Sequence, residues 1–309
     1  MTNKIIDMHA HYLSIEYLDF LNKHGALLED GFPLPNYDLN SHKELMDSLG
    51  IKYSLLSVST PQPYFSDDEN SSIKLFHQLN IQMANIKQNN KNFGYMGILP
   101  LPNVEASIKE AIYLLDEMNA NGIKLASNSR GLYLGDKALD PLMKELNKRH
   151  TLVTIHPHKP NPIKETVFSA GPVPLFEFLS DATRAVLNLI GNNIILRYPN
   201  ITWIVPHCGS FLPNIYDRFI GISKVLNNID EEIVRESFKR LYYDLSGNPA
   251  PNLMKWLLTI TDYSHLLYGS DFPFTPNDQI KNNLNKLLDI LNDHKEDVLY
   301  NNAKELLKL

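Results

Sequence analysis

Eight short, nearly uninterrupted apolar runs separated by helix-patterned segments restrict the fold of this chain more than any other feature. The runs begin at Ile5-Ile6 and continue with Lys52–Val58, Phe93–Leu99, Ile123–Ala126, Thr151–Ile155, Ile201–Val205, Leu241–Leu245 and Leu266–Tyr268. Strands this apolar, alternating with helices, imply parallel pairing with both sheet faces covered. Helices are expected over Ser14–Gly25, Ser41–Leu49 with Gly50 as a stop, Glu69–Asn90, Val104–Asn119, Ala138–Arg149, Leu175–Arg197, Phe211–Leu226, Glu231–Phe238 and Leu253–Ile260, with two more closing the chain. The Pro-rich excursion Gly31–Asn36 is read as a loop over one end of the fold. Eight such units in 309 residues predict one (β/α)8 barrel domain spanning 1–309, with a loop insertion after the first strand and C-terminal helices. An open doubly wound sheet competes, but it binds ligands at one switch point, whereas polar residues here follow many strands.

Those polar residues are chemically consistent. The first strand runs into His9-Ala10-His11, and residues two apart on a strand share a side, so both imidazoles can address one target. Paired neutral imidazoles suit a divalent transition metal. Strand five ends in His156-Pro157-His158, strand six in His207-Cys208-Gly209, and strand eight in Gly269-Ser270-Asp271-Phe272-Pro273. In a parallel barrel all these ends emerge at one face, so residues far apart in sequence converge there. Asp7 is expected on the histidines' face, one step deeper, in a supporting role.

Composition narrows the function classes. Hydrophobic residues make up 43% and charged ones 21%, the profile of a globular protein, and the formal charge is −6. Without a run of Lys and Arg the chain lacks the electrostatic footprint of a nucleic-acid binder. No apolar run approaches the roughly 20 residues of a membrane span. The first strand begins without a leader-like segment, and the single cysteine, Cys208, has no internal disulfide partner. The expected location is cytoplasmic.

With these residues in view, the chain resembles the amidohydrolase superfamily, in particular the branch of aminocarboxymuconate-semialdehyde decarboxylase and the salicylate-type decarboxylases. The resemblance is carried by Asp7-Met8-His9-Ala10-His11, Leu56–Pro61, Ile98-Leu99-Pro100, His156-Pro157, His207-Cys208-Gly209, Gly269–Pro273 and Asn302–Leu307. The phrases Leu99-Pro100-Leu101-Pro102, Tyr133-Leu134-Gly135-Asp136 and Glu145-Leu146-Asn147 are similar to the 6-methylsalicylate decarboxylase group. The resemblance implies His9, His11, His156 and Asp271 as ligands of one divalent ion, Zn²⁺ or alternatively Mn²⁺. It places His207 beside substrate, with His207 or Asp271 as proton donor, and His158 in the pocket or at its rim.

It further implies that Arg218 grips a substrate carboxylate, in some members across a subunit boundary, hence a homodimer. A second arginine used by the aminocarboxymuconate enzymes before strand two is missing, since Ser41–Leu49 offers only Lys43, which argues against a dicarboxylate. Tyr64, Phe65, Phe168, Phe176 and Phe274 are candidates to sandwich a ring, with Phe274 the preferred substrate contact. Lys124 stands where relatives with two metals carry a carboxylated lysine, but is read as pointing outward. Cys208, with no base assigned to it, is read as packing. The expected activity is non-oxidative decarboxylation of a small hydroxybenzoate-like or related unsaturated acid. Hydrolysis of a lactone or amide, or hydration, is the alternative for the same site, and a non-catalytic metal-binding scaffold is a third class that an incomplete ligand set would favour.

Overall fold

A computed structural model of the chain describes residues 4–164, 166–167, 171–226 and 229–309. Eight parallel strands follow one another in space in the order of the sequence: β1 (Ile5–His11), β2 (Ile51–Ser57), β3 (Phe93–Ile98), β4 (Gly122–Ala126), β5 (Leu152–His156), β6 (Thr202–Val205), β7 (Leu241–Asp244) and β8 (Leu266–Leu267). The ring closes through single hydrogen bonds rather than a ladder. Met8 N–H donates to the Tyr268 carbonyl at 2.9 Å, Asp271 N–H to His9 at 2.8 Å and His11 N–H to Phe272 at 2.7 Å. This is the expected (β/α)8 barrel, with a two-strand hairpin (Asn128–Ser129, Leu132–Tyr133) added after β4.

The helices start and stop where local chemistry dictates. Ser14 caps α1 (Ile15–Lys23) by accepting from Tyr17 N–H, and Asp38 caps α2 (Leu39–Leu49) by accepting from Ser41 N–H. Gly50 ends α2 in the left-handed region, φ 77°, which a glycine enters without a Cβ clash. The outer layer continues with α3 (Glu69–Asn89), α4 (Val104–Asp116), α5 (Asp140–Lys148), α6 (Glu177–Gly191), α7 (Ile194–Arg197), α8 (Leu212–Leu226), α9 (Glu231–Lys239) and α10 (Leu253–Leu257). After β8 come α11 (Asn277–Leu291) and, beyond a π-helical turn at Asp297–Asn301, α12 (Asn302–Leu307). None of these helices is long and apolar enough to cross a membrane among the described residues.

Two apolar layers result. Ile6, Met8, Tyr53, Leu55, Met96, Leu152, Ile204 and Leu267 come from six strands and form one cluster, against which Ala303 of α12 packs. This fills the N-terminal half of the barrel and leaves its other end to polar side chains. The larger layer lies between strands and helices and includes Tyr17, Leu79, Val186, Trp203 and Phe238.

The pairing of β1 with β2 contains an irregularity that matters for the site. Asp7 pairs with Ser54 and Ala10 with Leu56, so β1 spends one residue more than its partner over that interval. Such a bulge re-aims the side chains that follow it. Ile6 and Met8 face the apolar interior, whereas His9, the next residue, and His11 face the polar end of the barrel. Asp7 is therefore not a deeper step on the histidines' face, as the sequence suggested. Its Oδ1 instead accepts the N–H groups of His9 at 3.1 Å and Ser270 at 2.9 Å, tying β1 to the segment after β8.

Candidate active site at the C-terminal mouth of the barrel

His9, His11 and His156 each place a ring nitrogen within 4.8 Å of the others, and all three are buried. The Nε2 atoms of His9 and His11 stand 3.1 Å apart. Asp271 Oδ1 lies 3.1 Å from His11 Nε2 and 3.5 Å from His9 Nε2. Donors bound about 2.1 Å from one ion at angles of about 90–110° are roughly 3.0–3.4 Å apart, so the separations among His9, His11 and Asp271 fit ligands of a shared cation, with His156 close enough to join them.

Second partners fix which nitrogen each ring presents. His156 Nδ1 lies 2.9 Å from the Pro157 carbonyl, which can only accept, so Nδ1 carries the hydrogen and Nε2 keeps its lone pair. His9 Nδ1 donates to Asp244 Oδ2 at 2.8 Å, so its Nε2 is the nitrogen left for an ion or, without one, for a proton. A carboxylate or carbonyl behind each histidine is the usual support of a metal-bound imidazole.

The charge balance points the same way. Burial pushes His9 down, but Asp244, Asp271 and Asp7 together hold it up at about 9. Burial lowers His11 to about 4. Three carboxylates thus surround a cluster in which one imidazole takes up a proton, and a divalent ion would meet that demand without it. The donor set of three imidazoles and one carboxylate leaves coordination positions open, as catalytic rather than structural sites do.

His207 is next to this cluster but not in it, its ring centre 5.2 Å from that of His9 and 6.3 Å from that of His156. Asp244 Oδ1 accepts the His207 N–H at 3.1 Å, the Ser246 N–H at 3.1 Å and the Ser246 hydroxyl at 2.6 Å. Ser246 Oγ is also 2.9 Å from His207 Nδ1. Burial raises the Asp244 carboxyl, but the charge and hydrogen bond of His9 outweigh this and keep it ionised. A serine has one hydrogen, and the ionised Asp244 takes it. Oγ can then only accept from His207 Nδ1–H, so Nε2 is the nitrogen of His207 free to act. His207 and Asp271 both sit at positive φ, 53° and 61°, a conformation costly for residues with a Cβ and concentrated at functional sites.

A cavity of about 650 Å³ opens over these groups. His156, His207, Asp271, Ser59 and Ser246 line it together with Phe32, Phe178, Phe211, Phe274 and Trp256, and among the described residues no Lys or Arg lines it. Phe274 stands edge-on to His11, ring centres 5.2 Å apart, and 6.1 Å from Phe32. Phe32 comes from the Pro-rich excursion, which does cover this end. Of the other aromatic candidates, Tyr64 hydrogen-bonds Glu69 and Phe65 stacks on His24 at 4.1 Å, neither lining the cavity. Phe176 rests on Phe211 at its edge, and Phe168 lies outside the described residues.

Three expectations need correction. His158 does not line this pocket. It faces a separate cavity of about 210 Å³ with Glu29, Asn128 and Arg130. The residues at 157 and 158 are no longer on the strand, so the alternation that put His158 beside His156 does not extend to it. Lys124 points inward rather than outward. It is buried, its Nζ donates to the Ser59 carbonyl at 3.1 Å, and burial lowers it to about 7. Arg218 is exposed on α8, one turn beyond Asn214 of the pocket rim, and lines no part of the cavity in the single chain.

Asp244, Ser246 and Ser59 were absent from the sequence-based site. A carboxylate inside the apolar run Leu241–Leu245 is the signal that could have revealed Asp244, since an unpaired charge is not buried there without a partner. Cys208 is buried, as expected of a packed thiol.

Comparison with known proteins agrees with this geometry. The family model described as Amidohydrolase matches residues 6–309. Decarboxylase yanB of Aspergillus niger is 30% identical, the match covering 88% of this chain and 77% of that protein. The 6-methylsalicylic acid decarboxylase of Penicillium expansum is 27% identical, over 89% of this chain and 86% of that protein. A solved amidohydrolase II structure superposes with a TM-score of 0.93 at 32% identity, covering 99% of this chain and 100% of that one. A dihydroxybenzoic acid decarboxylase from Polaromonas sp. JS666, solved with manganese and 2-nitroresorcinol, has a TM-score of 0.85 at 19% identity, covering 99% and 97% of the two chains, which speaks for the fold alone. This chain belongs to the amidohydrolase family. Within that family it is an enzyme of the carboxy-lyase group, whose decarboxylases are its relatives along most of its length.

Proposed function

We propose that the protein is a metal-dependent, non-oxidative decarboxylase of a small hydroxybenzoate-like acid, with residues 1–309 as its single catalytic domain. The observation that carries this reading is the meeting of His9, His11, His156 and Asp271 beneath an aromatic-walled pocket, where His156 and Asp271 line the floor and no Lys, Arg or Glu lines the wall among the described residues. Those four residues would hold the ion, Zn²⁺ by its preference for nitrogen-rich sets or Mn²⁺ as in the Polaromonas structure. When bound, the ion supplies a Lewis acid for the substrate carboxylate and its ortho oxygen.

The chain's own residues do the rest. Phe274 and Phe32 confine the ring. His207, once it has taken a second proton at Nε2 from solvent against the lowering effect of burial and of His9, or Asp271 gives a proton to the ring carbon bearing the carboxylate. The carbon–carbon bond then breaks, CO2 leaves, and the electron pair of that bond restores the aromatic ring. Ser246 holds Nδ1 of His207, so any proton this ring delivers comes from Nε2.

With no Lys or Arg on the pocket wall among the described residues, a guanidinium has to come from elsewhere. Asn214, Arg218, Ile222 and Val225 lie at three- and four-residue spacings on α8, and Ile222 and Val225 are exposed apolar residues. We infer a homodimer in which this face meets a second copy and Arg218 reaches the partner's substrate. The buried free thiol Cys208 suits a cytoplasmic location.

CO2 release from a panel of hydroxybenzoates, set against hydrolysis of a lactone panel, tests the assignment. Release from 2-hydroxybenzoates without lactone turnover is expected. Lactone hydrolysis without CO2 release would assign the site to a hydrolase.

A further inference from the structure

The pocket is larger and more apolar than a methylated ring acid requires. A methylsalicylate-sized acid displaces on the order of 150 Å³, whereas cavities of several hundred Å³ hold drug-sized ligands. The cavity here is about 650 Å³. Polar groups gather at one end, where His156, His207 and Asp271 would engage the carboxylate and hydroxyl. Phe178 stands beside His156, ring centres 6.5 Å apart, and the wall continues with Leu179, Phe211, Leu253 and Trp256, with Asn214, Asn248 and Ser210 among its polar members. Trp256 and Leu253 remain 53% and 42% exposed, which places them at the mouth.

We propose that the natural substrate is a hydroxybenzoate bearing an unbranched apolar chain of several carbons, with the acid end at the His156–Asp271 floor and the chain lying along Phe211, Leu253 and Trp256. The proposal rests on the decarboxylase reading for the acid end and on the wall chemistry for the tail. A second carboxylate or a polyhydroxylated tail would leave its polar groups facing Phe178, Leu179 and Phe211, which offer no hydrogen-bonding side chain. Each methylene buried there strengthens binding about fourfold. The chain would also cover Trp256 and Leu253, apolar surface otherwise left in water at the rim.

Two measurements on the metal-loaded protein test this. The first is kcat/KM for salicylates carrying methyl, propyl, pentyl or heptyl chains at ring carbon 4 or 6. The second is calorimetric affinity for the matching 3-alkylphenols, the products of both series, which needs no turnover. In at least one series kcat/KM is expected to climb with chain length to pentyl, and phenol affinity to climb about fourfold per methylene. Trp256→Ser is expected to lower the pentyl-to-methyl ratio in both measurements. CO2 release from methylsalicylate combined with a flat or falling ladder overturns the proposal and leaves the mouth to a second copy of the chain. A rising phenol ladder without CO2 release from any salicylate supports the tail site while removing the decarboxylase reading.

Discussion

Ser246 has one hydrogen to give, and Asp244 takes it at 2.6 Å, so the direction of the His207 ring is set through Ser246 by Asp244, which does not line the pocket. Replacing Ser246 by Ala removes the acceptor for Nδ1–H and frees the ring to present either nitrogen. Ser246→Ala is expected to lower kcat by about 10- to 100-fold with KM changed less than threefold, and Ser246→Thr to recover most of the loss. The ¹⁵N shifts of labelled His207 report the tautomer directly; an unchanged tautomer in the alanine variant would contradict this role. A second residue-scale expectation concerns His9, held at about 9 by Asp244, Asp271 and Asp7 against the opposing effect of burial. Below that pH the metal-free site carries a proton that the ion must displace. Apparent metal affinity should therefore rise about tenfold per pH unit from 6 towards 9 and level off above it. Calorimetry in buffers of different ionisation enthalpy measures the released proton, and an affinity independent of pH between 6 and 8 would refute it.

At the scale of elements, strand ends were legible and strand interiors were not. Parallel strands buried on both faces are written as apolar runs, so His9, His11, His156, His207 and Asp271 stood out at their C-terminal ends. Lys124 lies inside β4, and Asp244, although the last residue of β7, is enclosed by the apolar run Leu241–Leu245, so the surrounding apolar residues hid both. The bulge in β1 was equally invisible, because nothing in Asp7-Met8-His9-Ala10 announces an extra residue. His158 was misplaced for the complementary reason: alternation was carried past the end of its strand. Gly269 shows how closely the ends approach. A Cβ there would stand 2.7 Å from His9 Cβ and 3.2 Å from Ser246 Cβ. Gly269→Ala must displace His9 or the β7–β8 spacing, so a loss of metal affinity of 10-fold or more is expected, with thermal stability lowered as well. Wild-type metal affinity in that variant would show that the approach is slack.

Over the whole molecule, chemistry and stability are divided between the two ends of the barrel. The N-terminal half is filled by apolar side chains from six strands under α12, while the C-terminal half gathers histidines and carboxylates whose costs of burial are offset by one another. Closure by a few hydrogen bonds between β1 and the segment after β8 brings His9, His11 and Asp271 together, so ring closure and the candidate metal site are one construction. The barrel followed from the count of strands, and the site from where their ends must meet; exposure of Arg218 in a single chain was beyond reach, because it depends on what covers α8. The most direct measurement is the rate of CO2 release from 6-methylsalicylate as Zn²⁺ or Mn²⁺ is titrated into metal-stripped protein. The rate should rise in proportion to bound ion and saturate at about one per chain, and His11→Ala should neither bind the ion tightly nor release CO2. Full activity in the stripped protein, or saturation without any effect of His11→Ala, would contradict the account.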